Sequence, residues 1–262
     1  MTFMEEIKEK AKRDIKRIVL PEATDVRVLE ATDKICKEGF ASVILVGNEQ
    51  EILRLANEKK LDISKAKIID PAKSAKLNEY INNFYELRKH KGMTEAVAKK
   101  TMIDPIYYGT MMLKMGEADG LVSGAAHSTA DTLRPALQII KTKATTKLVS
   151  TFSIMVVPDC EYGDNGVFLF SDSGLNQKPN SEELAEIAIS SADSYRELVG
   201  REPKVAMLSY STYGSAKAAE VDTVIGATTL VKEKRPDILI DGELQLDAAI
   251  VPSVANTKAP RK

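Results

Sequence analysis

The chain has 262 residues, 44% of them hydrophobic, with 37 Lys and Arg against 38 Asp and Glu for a net charge of −1. Two domains are the natural prior at this length. The charge balance excludes a bulk pull toward nucleic acid or an anionic membrane, so an anionic ligand has to be held by a local cluster. Cys36 and Cys160 lie far apart without C-x-x-C spacing, which argues against a disulfide framework or zinc site, and no metal is predicted. No stretch approaches the ~20 apolar residues of a spanning helix, and the charged, helical start lacks an apolar signal core. The reading is a cytoplasmic protein with no membrane partner.

In chain order, Arg17–Leu20 reads as a short strand and residues 25–37 as a helix with Val28, Leu29, Thr32 and Ile35 on one stripe. Residues 41–46 form a nearly continuous apolar run, as expected of a strand buried on both faces. Gly47 and Asn48 turn the chain into a helix over 49–60, followed by a strand at Lys67–Ile69 and a helix over 74–89. This β-α-β-α order predicts a parallel sheet covered by helices. Residues 120–123 add a strand. Further on, strands are predicted over 148–157 and 166–170, joined by turn formers, then a long helix opened by Asn180 with Glu183 completing a capping box. Strands at 205–208, 238–240 and 248–251, with a helix over 221–233 between the first two, complete the pattern. The domains are read as 1–147 and 148–262.

Three segments carry candidate chemistry. In the first, GLVSGAAHSTADTLRP (residues 120–135), a strand runs into Gly124 and two alanines, then Ser128, Thr129 and Thr132, then a helix expected to start around residues 131–134 with Pro135 in its first turn. Small residues let a ligand approach the backbone, and a helix N-terminus offers free amides and partial positive charge to a phosphate. Arg134 would add a charged fork. An ordinary capped helix after a tight turn fits the same spacing. His127 reads as a hydrogen-bonded loop residue, because adjacency to Ser128 in sequence does not create proton-transfer geometry. In the second segment, YELRKHKG, Arg88 and three basic neighbours precede Gly92. Such residues ordinarily complement a helix C-terminus, and the functional alternative is a clamp for a phosphorylated ligand. The third, LSYSTYGSAK, places Ser211, Gly214 and Ser215 at the end of a strand, where ligands of α/β folds bind. It lacks the GxxxxGK[ST] pattern of a nucleotide P-loop.

PEATDVR, YELRKHKG, DPIYYGTMML, SGAAHSTADTLRPALQI, VPDCEYG, LSYSTYGSA and DGELQLDAAIVP together resemble, in order and spacing, the phosphate acetyltransferases over nearly the whole chain. The resemblance implies two α/β domains with an interdomain cleft, an architecture similar to the isocitrate and isopropylmalate dehydrogenases, and a homodimer. It implies transfer of an acetyl group between acetyl phosphate and coenzyme A, with CoA, acetyl phosphate and phosphate as small-molecule partners, CoA as substrate and no tightly bound cofactor. Arg88 and Arg134 match the arginines that engage CoA; Ser128, Thr129 and Thr132 match the hydroxyl-rich loop beside the cleft, and Cys160 a cysteine near the site. Supporting catalytic roles fall to Ser128 and Arg134, and further substrate contacts to Ser211, Gly214 and Ser215. Tyr213 stands where the family often has a lysine. The family pattern continues beyond the position of Lys262, with an Asn-Ala-Gly-Asn loop, a Ser-Arg pair, the acidic residue proposed as thiol base and the return that completes the first domain. The expectation for 262 residues is therefore impaired activity. Phosphate butyryltransferase, or a non-catalytic CoA-binding or dimerisation module, remain the alternatives.

Overall fold

The computed structural model describes residues 2–143 and 146–259, which fall into two compact units, Met1–Lys141 and Thr142–Lys262. The boundary read from the sequence stood near Lys147.

In chain order the first unit contains α1 (Phe3–Arg13), β1 (Arg17–Leu20), α2 (Val26–Glu38), β2 (Ser42–Val46), α3 (Glu49–Glu58), β3 (Lys67–Ile69), α4 (Leu77–Arg88), α5 (Glu95–Met102), α6 (Pro105–Lys114), β4 (Gly120–Leu121) and α7 (Thr129–Ile139). The strands form a parallel sheet in the order β3-β2-β1-β4. Strand side chains alternate between faces, and both faces are covered. Val19, Ile44 and Val46 pack with Tyr80, Phe84, Met102, Tyr108, Met111 and Ile139 from α4 to α7. Leu20, Val43 and Leu45 point the other way, onto Leu29, Ile52 and Ala56 of α2 and α3. This double burial is why the β2 sequence SVILV is apolar at successive positions. Helix ends follow the local chemistry: Asp25 caps α2, which stops at Gly39 in the left-handed conformation (φ 70°), and Asn48 caps α3. Arg17 grips Asp119 through its backbone amide and guanidinium at 2.7–3.0 Å, fixing the start of β1 beside the start of β4.

The second unit contains β5 (Phe152–Val156), β6 (Val167–Ser171), α8 (Ser181–Val199), β7 (Lys204–Leu208), α9 (Ala219–Lys234), β8 (Leu239–Leu244), α10 (Leu246–Ile250) and α11 (Pro252–Lys258). β5 and β6 are antiparallel, with Phe152 opposite Ser171 and Val156 opposite Val167; β7 and β8 are parallel. Asn180 and Glu183 form the expected capping box on α8. Ala185, Ala188 and Ala192 of α8 pack with Ala227 and Val231 of α9 and with Met207, Ile238 and Ile240.

Two expectations are corrected here. The strand predicted over residues 148–157 begins at Phe152. Residues 248–251 are not a strand: Ala248 to Ile250 close α10, because alanines are strong helix formers and Pro252 starts α11 with Val251 as its cap position.

Candidate active site

The strand order places a reversal between β1 and β4: the chain builds β1, β2 and β3 outward, then returns to the other side of β1. Open α/β sheets bind ligands beyond the strand carboxyl ends at such a reversal. Two loops meet there, the one after β1 containing Glu22 and the one after β4 running from Val122 to Ser128. Gly124 turns at φ 109°, a conformation that a side chain would strain. The amides of Gly124, Ala125, Ala126 and His127 then converge on the Glu22 carboxylate at 2.7, 2.7, 2.8 and 2.9 Å, and His127 Nδ1 joins them at 2.7 Å. Arg27, paired with Asp25, donates to the Ala125 carbonyl and holds the loop from its other side. Glu22 is 5% exposed. Burial alone would push its carboxyl up; the hydrogen bonds from His127 and the amides of Ala126, Ala125 and Gly124 outweigh that and bring it down to about 2. Those loop amides, expected to be open to a phosphate, therefore carry the chain's own carboxylate.

Beyond this loop α7 starts at Thr129, earlier than expected, because Ser128 caps it. The Ser128 hydroxyl accepts from the Asp131 amide at 3.2 Å and donates to the Asp131 carboxylate at 2.6 Å. Pro135 accordingly lies inside the helix and not in its first turn, where it removes one backbone donor. Among the described residues, the amides of Thr129 and Ala130 have no acceptor, so an anion-competent helix end persists just past the nest. Thr132 Oγ1 is shielded from solvent without a partner.

Arg88 and Arg134 are brought together by a residue with no role in the sequence reading, Tyr107. Its ring meets Phe84 of α4 edge-on at 5.6 Å, and its hydroxyl donates to Gln138 Oε1 of α7 at 3.2 Å. Arg88 follows Phe84 by four residues and Arg134 precedes Gln138 by four, so each arginine shares a helix face with a Tyr107 contact. Burial pushes the Tyr107 phenol up, with Arg134 and then Arg88 pulling it down and Asp104 and Asp131 opposing them. The Arg88 Nε is buried without an acceptor in the protein, a state that costs about 1–3 kcal/mol if nothing fills it. Arg134 is more than half exposed, with Asp131 3.6 Å away.

The third segment behaves like the first. Ser211 Oγ and the Gly214 amide donate to Glu243 Oε1 at 3.1 and 2.5 Å, while Ser215 Oγ accepts from the Thr212 amide at 3.0 Å. Glu243 and Ser211 are 2% and 0% exposed. This strand-end nest, in the second unit, is also filled by an internal glutamate. Tyr213 bonds Asp241. Cys160 is half-buried, its sulfur 3.9 Å from the Tyr162 carbonyl. Among the described residues no cluster of metal-ligating side chains is found, and no helix is long and apolar enough to cross a membrane. Glu22, Tyr107 and Glu243 each lie in a segment singled out above, PEATDVR, DPIYYGTMML and DGELQLD; Tyr107 stands in a largely apolar stretch, whereas Glu22 and Glu243 sit among other polar residues and carried no signal of their own.

A doubly covered parallel sheet with two arginines beside one tyrosine defines an α/β protein equipped to hold an anion. The phosphate acetyl/butaryl transferase family model matches residues 2–262, and the chain belongs to that family. A phosphate acetyltransferase of Acetivibrio thermocellus is 58% identical over 259 residues, covering 99% of this chain and 77% of the relative. One from Bacillus subtilis is 48% identical, covering 95% and 75%. Among solved structures, the EutD phosphotransacetylase from Staphylococcus aureus superposes with a TM-score of 0.87 at 44% identity, covering 98% of this chain and 77% of that one. A phosphotransacetylase from Streptococcus pyogenes gives 0.90 at 40%, covering 99% and 77%.

Proposed function

We propose that this chain is an acetyltransferase acting between acetyl phosphate and coenzyme A, and that Arg88, Arg134 and Thr132 hold the phosphorylated reactants. The observation that carries this is the Arg88–Tyr107–Arg134 arrangement, in which one guanidinium nitrogen is buried without a protein acceptor. In the reaction the CoA sulfur, as thiolate, attacks the acetyl carbonyl carbon. The bond from that carbon to the phosphate oxygen breaks, and phosphate leaves with the electron pair. The proton lost by the thiol ends, in net balance, on phosphate. A free thiol titrates near ~8.5, so thiolate formation needs a base. Arginines placed on the phosphates of CoA neutralise their charge and fix the thiol's approach to the acetyl group. The exposed amides of Thr129 and Ala130 at the α7 N-terminus add donors to the same end. Ser128 acts through this helix end, as its cap. The family resemblance adds a homodimer and a cytoplasmic setting to this reading, which sedimentation and cell fractionation check.

The test is acetyl-CoA formation from CoA and acetyl phosphate, with butyryl phosphate as competitor. Loss of CoA affinity in Arg88→Ala and Arg134→Ala is the expected result. Absence of both turnover and CoA binding in the wild type would refute the reading.

A further inference from the structure

The motif PEATDVR has no part in the reaction as described, yet it supplies the most heavily hydrogen-bonded side chain at the sheet reversal. We propose that Glu22 is a positioning residue for the acetyl transfer: a built-in anion that sets the Gly124–His127 loop and holds the His127 imidazole with its proton on Nδ1. This deepens the reading above and rests on it.

The geometry allows little else. An ionised carboxylate only accepts, so the 2.7 Å contact requires His127 Nδ1 to donate. The neutral ring then presents Nε2 as an acceptor, on a side chain that is 42% exposed. Oε2 takes the amides of Gly124 and Ala125, and Oε1 those of Ala126 and His127 together with the ring. Both oxygens thus carry at least two N–H groups, and no single neutral amide can replace them. Arg27 secures the one carbonyl of the loop that faces it. The residue after this clamped stretch is Ser128, the cap of the helix that carries Thr132 and Arg134. Glu22 therefore fixes where that helix begins, and it occupies a four-amide nest that would otherwise be open to phosphate. Glu243 fills the nest of Ser211 and Gly214 in the same way, so the chain uses this device twice.

The experiment compares wild type, Glu22→Gln and Glu22→Asp. The readouts are circular dichroism for folding, hydrogen exchange of the Gly124–His127 amides, 15N chemical shifts of the His127 ring nitrogens, and steady-state kinetics with CoA and acetyl phosphate. In wild type the neutral His127 ring should carry its proton on Nδ1. Glu22→Gln should fold, lose amide protection and the single tautomer, and drop kcat about a hundred-fold, the cost of a small misplacement of reacting groups. Glu22→Asp, charged but shorter, should recover part of both. A wild-type ring protonated on Nε2 would overturn the proposal whether or not Glu22→Gln folds. So would a folded Glu22→Gln with unchanged protection and tautomer, and a lost tautomer with unchanged kcat would overturn the positioning role. If wild type neither turns over nor binds CoA, the acetyltransferase reading fails; the exchange and nitrogen-shift measurements still judge the clamp.

Discussion

Replacing Glu22 by Gln should produce a loss of stability that disappears in acid. The carboxyl sits at about 2 in the folded chain against an ordinary 4.5. At roughly 1.4 kcal/mol per pH unit, that displacement is worth about 3 kcal/mol of folding free energy at neutral pH. The folded value is the lower one, so the unfolded chain takes up the proton first as pH falls. The stabilisation is complete above about 4.5 and drains away down to about 2. Glutamine resembles the protonated acid, so the two proteins should differ by about 3 kcal/mol at neutral pH and converge as pH approaches about 2. Asp172, held by the amides of Leu175 and Gly174 against its burial, and Asp119, held by Arg17, are also pulled well below the usual carboxylate range. They titrate in both proteins and cancel in the difference. Urea unfolding followed by circular dichroism, at neutral pH and stepwise into acid, measures the gap. A gap independent of pH would show that the stabilisation does not come from the ionised carboxylate, and the reasoning would fall.

Gly109 sits inside α6, where a Cβ would lie 2.7 Å from Val19 Cγ1 and 3.1 Å from Leu121 Cδ1. Gly109→Ala should gain about 1 kcal/mol of helix propensity and lose about 1–3 kcal/mol to overpacking, because Val19 is fully buried and cannot swing away; a melting temperature above wild type would contradict this. Arg88→Ala removes a side chain whose Nε has no protein acceptor, so its melting temperature should stay near wild type. Its affinity for CoA, measured by calorimetry, should fall at least about tenfold, the worth of one charge-assisted bond. Glu243→Ala removes the buried carboxylate that accepts from Ser211 Oγ and the Gly214 amide, costing about 1–3 kcal/mol in all; urea unfolding checks it.

Much of the secondary structure was legible because its causes are local. The run SVILV read as a doubly buried strand, the Asn180–Glu183 pair opened a helix, and Gly92 ends its segment in the left-handed conformation. Where local signals conflict, the reading failed. Residues 248–251 join an apolar run to alanines and a following proline, and helix won. Pro135 suggested a helix start, but the Ser128 cap outranked it. The helices α5 and α6 drew no assignment, although α6 carries the motif DPIYYGTMML.

The candidate site divides the same way. Residue types and spacing alone marked Arg88, Arg134 and the loop from Gly124 to Ser128, because basic side chains and small residues before a helix are visible in one dimension. What those amides hold was decided by tertiary structure. Glu22 is more than a hundred residues from its partners in sequence, and only the placement of β4 beside β1 brings them into contact. The convergence of the two arginines likewise depends on Tyr107 touching α4 and α7 at once. Hydrogen bonding acts over about 3 Å of space and is indifferent to separation along the chain, so a sequence can reveal a nest of donors while the fold alone determines which acceptor fills it.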